Sequence, residues 1–419
     1  MKMLLIYPTW PKLDRQTVFH LPPHGPVVFA AALPEWVDVR FVDENVQEVD
    51  FEASADLVAI SAMLTCQLPR AFEIADHFRA RGIPVIFGGI ATMLHSEEVV
   101  QHADSVFLGE AEGHIEQVMN DFRNGTLRPV YDVMKTPPDT ALVKSARRDI
   151  LDRSRYVYRG VQMLDLVHAS RGCKFNCFPC CNAFLGGKLF RPRPIANVIE
   201  EMAQIDNNRL FIVDNSLAQD REWVVELFKA MKPLKKKWVS HPVYYDDEVL
   251  KHAEEAGCWY VYQAFFDTSE VARNRIRMLK EHGIAIEGTI ILGTDDQDED
   301  YIKRLVDFLC ENELDVAEFT IMTPFPHSPI RTKLEEEGRI LSNNWLDYSA
   351  DKVVFQPRRM TPEKLLEMYH YAWDTFYGEG GQQLKFGQLF RKVIEREIAD
   401  NTYRRYNPRA KRQFRKESP

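Results

Sequence analysis

The sequence predicts an α/β protein. An N-terminal doubly wound, Rossmann-like sheet is followed by a partial (β/α)6 barrel and a small C-terminal helical region. Three observations predict it. Short apolar runs alternate with helix-period segments through the first 125 residues, a second such series of six units spans residues 161–345, and a helical, aromatic-rich pattern follows. In the first series, residues 2–7, 37–42, 56–62, 84–89 and 104–109 are short apolar runs that read as buried parallel strands. Between them, 67–81 and 112–123 carry helical spacing, for example Ala71, Ile74, Ala75 and Phe78. A doubly wound sheet binds ligands beyond the carboxyl ends of its strands. The candidate contacts are therefore Pro8, Thr9, Ser61, Thr65, Gly88, Gly89, Gly109 and Glu110.

Residues 126–160 read as a connector with Pro137, Pro138, Arg147, Arg148 and Arg153. The second series has strand candidates at 163–169, 209–214, 237–241, 259–263, 284–291 and 315–321. Helix candidates lie at 194–205, 220–231, 247–256, 270–282 and 298–312. Six strand–helix units suit a partial barrel, with chemistry at the carboxyl ends of its strands. Residues 346–419 form the third region, where Thr361 caps a helix opened by Pro362 and Glu363. Its aromatics Tyr369, Tyr371, Trp373, Phe376 and Tyr377 read as packing against the barrel, with substrate stacking as the alternative.

Composition bounds the function. With 45% apolar and 27% charged residues the chain has an ordinary globular make-up. A net charge of −9 argues against a nucleic-acid enzyme. The basic cluster from Arg404 to Lys416 reads as a solvated end, with anionic lipid or RNA as the alternative. The apolar run before Pro8 is too short for a signal peptide, and no stretch reaches the ~18 residues of a membrane span. The expectation is a cytoplasmic protein without a transmembrane segment.

The most informative stretch is SRGCKFNCFPCCN, directly after the first strand of the second series. Cys173, Cys177 and Cys180 are spaced C-x3-C-x2-C. Three thiolates so placed can hold three irons of a [4Fe–4S] cube and leave the fourth without a protein ligand. An open metal position marks a catalytic site. Zinc is the alternative, but it usually takes two paired Cys/His units, and no second pair follows. Cys181 reads as a bystander, and Cys66, Cys258 and Cys310 as ordinary core residues among only seven cysteines.

On these residues the chain resembles the radical S-adenosylmethionine (SAM) enzymes with an N-terminal cobalamin-binding domain, the class B methyltransferase-like superfamily. CKFNCFPC fits the superfamily pattern, with Phe178 at its aromatic position. The segment LVAISAMLTCQLPRAFEIADHFRARGIPVIFGGIATMLHSEEVVQHADSVFLGEAEG is similar to its cobalamin domains, and HGIAIEGTIILGTDDQDEDYIKRLVDFL and TPFPHSPIRTKLEEEGRI to its fifth and sixth barrel strands. The tail DKVVFQPRRMTPEKLLEMYHYAWDTFYG is similar to the end of members acting on tetrapyrroles and polycyclic lipids. The resemblance implies that Cys173, Cys177 and Cys180 carry the catalytic cluster. It implies SAM contacts at Phe178, Asp214, Asn215, Gln263, Asp267, Ile290 and Thr323, and cobalamin held at the sheet residues named above. Two departures stand out: Ala91 holds the place of a histidine after the Gly–Gly turn, and Phe266 that of a ribose-binding glutamate.

The implied reaction is methylation of an unactivated carbon of a small-molecule, natural-product, lipid or tetrapyrrole substrate. It would run through a 5′-deoxyadenosyl radical and methylcobalamin, with electrons from a low-potential flavodoxin- or ferredoxin-type donor. The alternative is a non-methylating enzyme of the same build that cyclises, oxidises or rearranges a ring. A non-catalytic cobalamin or redox sensor is the third reading.

Overall fold

The computed structural model of the chain describes residues 1–13, 15 and 19–403. The basic cluster from Arg404 onward lies outside the described residues. The first sheet contains β1 (Lys2–Tyr7), β2 (Asp38–Asp43), β3 (Leu57–Ser61), β4 (Val85–Gly88), β5 (Ser105–Leu108) and β6 (Val130–Asp132). All are parallel, in the order β2-β1-β3-β4-β5-β6. Separate apolar cores cover its two faces, one with Phe72, Phe78 and Phe87 and the other with Leu5, Phe41 and Met119. The strand order reverses beside β1, so a crevice opens where β1 and β3 end. Five strands match the apolar runs. The sixth comes from the segment read as connector, where only Tyr131 of its three residues is buried.

The second sheet runs in sequence order: β7 (Asp165–Val167), β8 (Arg209–Ile212), β9 (Lys237–Ser240), β10 (Cys258–Ala264), β11 (Ala285–Leu292) and β12 (Val316–Ile321). Each strand pairs parallel with the next, leaving an open six-stranded barrel wall. Local chemistry starts its helices. Asp220, Asp246, Ser269 and Asp298 each accept a hydrogen bond from the backbone N–H three residues on, the N-cap that polar residues after a strand foreshadow.

The amino end of the barrel is closed. Leu389, Phe390 and Val393, from the helix Gly381–Ala399, pack against Phe211, Trp259, Tyr260 and Val316 inside it. Arg209 and Glu397 form a buried ion pair there at 2.5 Å. The helix Pro362–Tyr377 packs alongside: Tyr369, Trp373 and Phe376 are buried, and Trp373 Nε1 donates to the Phe319 carbonyl at 3.2 Å. Packing, not ligand stacking, occupies these aromatics. Cys66 and Cys258 are buried as expected, but Cys310 is exposed because it falls on the outer face of its amphipathic helix. No helix among the described residues is long and apolar enough to cross a membrane.

Deleting the ring that plugs the barrel floor should be costly. Phe390→Ala is expected to destabilise the protein by ~3–5 kcal/mol, read as a lowered urea midpoint. An unchanged midpoint would show that the helix only leans on the barrel.

Candidate active site between the two sheets

The carboxyl ends of the two sheets face one another across a cavity of about 390 Å³. Ser61, Gly88, Gly89, Gly109 and Glu110 line it from the first sheet, and His168, Asp214 and Asn215 from the barrel. Glycine is required at the rim: Gly89 has φ +99°, and a Cβ there would collide with the Ala62 carbonyl. A Cβ at Gly88 would meet nothing within 4 Å, so the β4 end offers flat, open backbone. Five of the eight expected cobalamin contacts therefore meet at one cavity. The other three do not line it. The Pro8 carbonyl accepts from Gln67 Nε2 at 2.6 Å, the Thr9 N–H donates to Glu44 at 3.0 Å, and Thr65 Oγ1 pairs with His95 Nε2 at 3.0 Å. These three tie loops together. Ala91 is fully buried in the sheet core.

The cysteine loop is closed like a hoop. Ser170–Arg171 and Arg191–Pro192 pair antiparallel at its base. Gly172 (φ +75°) makes the turn into it, where a Cβ would strike the Leu189 carbonyl. Both arms of the hoop carry an arginine to the first sheet. Arg171 bonds Glu110 at 2.8 Å and Glu112 at 2.7 Å, and Arg191 bonds Glu110 as well. Burial alone would raise the Glu110 carboxyl, but Arg191 and Arg171 outweigh it and hold it below its ordinary value. Glu110, expected at the cofactor, thus docks the two sheets.

Within the hoop Cys173 is buried, Cys180 half-buried and Cys177 exposed. Gln219 braces the buried end: its Oε1 accepts from the Lys174 N–H at 2.9 Å, and its Nε2 lies 3.3 Å from Cys173 Sγ. The Cys180 N–H donates to the Cys177 carbonyl at 3.0 Å. Burial, then the charges of Cys177 and Cys173, push the Cys180 thiol up, so the three sulfurs share one neighbourhood that a cationic cluster would relieve. Among the described residues no three Cys, His, Asp or Glu side chains wrap a single-ion site. Thiols spread along one hoop suit the separate corners of a cube. Cys181 sits at the N-cap of the short helix Asn182–Leu185.

The expected SAM contacts divide. Phe178 is exposed and shares a groove of about 580 Å³ with Cys177, Phe266, Thr294 and Met322. Asn215 is exposed on the cavity wall, its Nδ2 3.4 Å from the Gly172 carbonyl. Asp214 is buried; it accepts from the Ala169 N–H at 2.7 Å and from the Ser170 hydroxyl, bracing the strand end before the cysteines. Gln263 is buried, with Nε2 on the Ala264 carbonyl at 2.7 Å and Oε1 without a partner among the described residues. Asp267 is exposed and caps its own turn at the Ser269 N–H, 2.9 Å away. Two more lie in the packed interior. Ile290, 0% exposed, points into the helix-side core with Ile286 and Leu292, so β11 turns Glu287, Thr289 and Ile291 to the interior. Thr323 is buried and donates its hydroxyl to the Ile321 carbonyl at 3.0 Å.

Sequence reasoning missed several residues. Arg171, in a two-residue strand, and Gln219, in a loop, gave no signal beyond a polar side chain near a strand end. Glu287, inside the barrel, accepts from Tyr260; burial and then Glu318 push its carboxyl well above the ordinary carboxylate range.

Burial pushes the Asp214 carboxyl up from 3.8 to about 7, against the hydrogen bonds from Ser170 and Ala169. A raised folded pKa gives stability that is complete below the unfolded value and is lost as pH rises through the folded one. Urea midpoints measured at steps between about pH 4 and pH 8 should fall for wild type relative to Asp214→Asn, by at most ~1.4 kcal/mol per pH unit. Parallel profiles would contradict this assignment.

No family model matches the chain. It is 27% identical over 369 residues to the bacteriochlorophyllide d C-12(1)-methyltransferase of Chlorobaculum tepidum, covering 82% of this chain and 80% of that one. The C-8(2)-methyltransferase of the same organism is 25% identical over 393 residues, 83% and 84% of the two chains. The hopanoid C-2 methylase of Rhodopseudomonas palustris is 22% identical, over 87% and 75%. Among solved structures, TsrM from Kitasatospora setae, a radical SAM methyltransferase with cobalamin and a [4Fe–4S] cluster bound, shares the fold. Its TM-score is 0.65 at 17% identity, over 91% of this chain and 82% of that one. Over four-fifths of its length the chain is thus similar in sequence to these methyltransferases, and it shares the fold of TsrM.

Proposed function

We propose that the protein is a cobalamin-dependent radical SAM enzyme that methylates an unactivated carbon of a small, largely apolar ring substrate, of the tetrapyrrole or polycyclic-lipid kind. One observation carries the reading: the three-cysteine hoop stands at the barrel mouth, clamped by Arg171 and Arg191 onto the ligand-binding edge of a doubly wound sheet. When bound, the cluster supplies one-electron cleavage of SAM, and cobalamin supplies the transferable methyl group.

The chain's own work is to bind, orient and exclude water. Cys173, Cys177 and Cys180 would hold the cluster, with Gln219 fixing the buried thiol. Phe178 and Phe266 offer apolar faces beside Cys177, suited to an adenine ring. The open backbone at Gly88, bordered by Gly89 and Gly109, admits a flat macrocycle closely, as cobalamin binding needs. Leu5, Val28, Phe29, Ile86, Met93 and Phe107 make most of the cavity apolar and so keep water away from reactive species. Electrons would come from a low-potential flavodoxin- or ferredoxin-type partner approaching the exposed side of the hoop.

Anaerobic turnover tests the proposal. The loaded protein would be given methyl-labelled SAM, a low-potential reductant, and bacteriochlorophyllide- and hopanoid-type substrates. One 5′-deoxyadenosine and one S-adenosylhomocysteine should form per methylated product, and Cys177→Ala should abolish all three. Deoxyadenosine with a ring-closed or oxidised product and no methyl transfer would establish the non-methylating alternative instead.

A further inference from the structure

Two buried pairs of titratable groups have no part in the scheme above. His24 Nε2 and His168 Nδ1 meet at 2.7 Å and tie the first sheet to the barrel. The second pair, Glu287 and Glu318, opens onto a pocket of its own. Strand register builds it. Tyr262 on β10 lies beside Glu287 on β11, and Glu318 on β12 lies beside Thr289, two residues further along β11. Residues two apart on a strand share a face, so Glu287 and Glu318 both turn inward. Glu287, 5% exposed, accepts from the Tyr260 and Tyr262 hydroxyls and is hydrogen-bonded to the Glu318 carboxyl.

Proton counting assigns the charge. Two carboxyl groups hydrogen-bond to each other only when one of them carries a proton. With both tyrosines donating to Glu287, its own proton goes to Glu318, and Glu318 is the partner left to ionise. The wall around the pair is aromatic. Phe211 stacks on Tyr262 at 5.3 Å, and His241, its Nδ1 on the Asp214 carbonyl, packs against both rings. Burial holds His241 below its ordinary value, and Arg209 at the barrel floor is taken up by Glu397. A carboxylate set in such a wall is stabilised by any cation that reaches it.

Glu318 is half-buried and lines a pocket of about 270 Å³ between the barrel edge and the loops after β1 and β3. Trp10, Leu13, Phe19, Leu64, Phe325 and Tyr348 form its walls. Such walls suit a ring, and aromatic faces also attract a cation. Lys12 and His20 line the pocket too. Lys12 is exposed, where water and salt screen it, and burial and then Lys12 hold His20 low. Glu318 is therefore the better-sheltered charge for a ligand to meet. We propose that this pocket recognises a protonated amine on the ring substrate, with Glu318 as the residue that receives the ammonium group. The inference rests on the methylation reading above and adds one demand to it: the methyl acceptor carries a basic nitrogen.

Three indole probes of similar shape and different charge test this by isothermal titration calorimetry on the full, reconstituted chain at neutral pH. Tryptamine is a cation, tryptophol is neutral and indole-3-propionate is an anion. A hydrogen bond to a charged partner contributes more than a neutral one, so tryptamine should bind about ten-fold more tightly than tryptophol, with the propionate weakest. Glu318→Gln keeps the shape and removes the charge. It should bring tryptamine to the tryptophol value and leave tryptophol unchanged, which also reports that the pocket still forms. Glu318→Asp keeps the charge and should keep the preference, which serves if the glutamine variant folds poorly. Equal affinities, no measurable binding of any probe, or a preference for the propionate overturns the inference. So does a tryptamine preference that survives Glu318→Gln. Binding needs neither reductant nor turnover, so its failure is read separately from failure of the methylation assay.

Discussion

Arg171 is the residue on which the arrangement turns. It stands two positions before the first cluster cysteine, and its guanidinium is gripped by Glu110 and Glu112 from the loop after β5. Burying such charges is costly, and an apolar contact would often hold two surfaces together as well. What the ion pairs add is direction: a planar, forked donor fixes orientation as well as distance. With Arg191 on the opposite arm of the hoop, both ends of the cysteine segment are referenced to the same glutamate. The barrel loop and the sheet edge thus share one frame.

That frame explains how the rest of the chain is used. The amino end of the barrel is sealed by the helix Gly381–Ala399, which leaves the carboxyl mouth as the open end. The connector's arginines tie it to the barrel. Arg148 reaches Glu201 at 2.8 Å and Arg153 reaches Asp165 at 2.5 Å, both onto the barrel. Burial, and after it the surrounding arginines, holds both imidazoles of the His24–His168 pair below their ordinary values. Asp214 belongs to the same economy of bracing: a chemically capable side chain spent on holding the strand end from which the hoop departs.

Much of the fold was legible because parallel strands buried on both faces are continuous apolar runs, and the helices between them begin at capping residues. That same property hid the phase of each strand. On a strand apolar on both sides nothing local says which residue faces inward, so the sequence gives no sign that the Ile290 side chain packs in the helix-side core. β6 escaped because three residues with one buried side chain carry no periodic signal. Strand-end glycines were legible as a ligand edge, since their backbone requirement is local. Pro8, Thr9 and Thr65 sat at equally plausible strand ends, and only the three-dimensional structure shows them bonded to neighbouring loops. Contacts across the domains were the least visible: His24 and His168, or Arg171 and Glu112, are brought together by docking alone.

The most direct measurement is a pair of 57Fe Mössbauer spectra of the anaerobically reconstituted protein, before and after SAM is added. A cube held by Cys173, Cys177 and Cys180 should show about four irons per chain, with one iron site alone changing its isomer shift when SAM binds. Absence of a cube, or a cube whose spectrum SAM leaves untouched, would contradict an open metal corner at this loop.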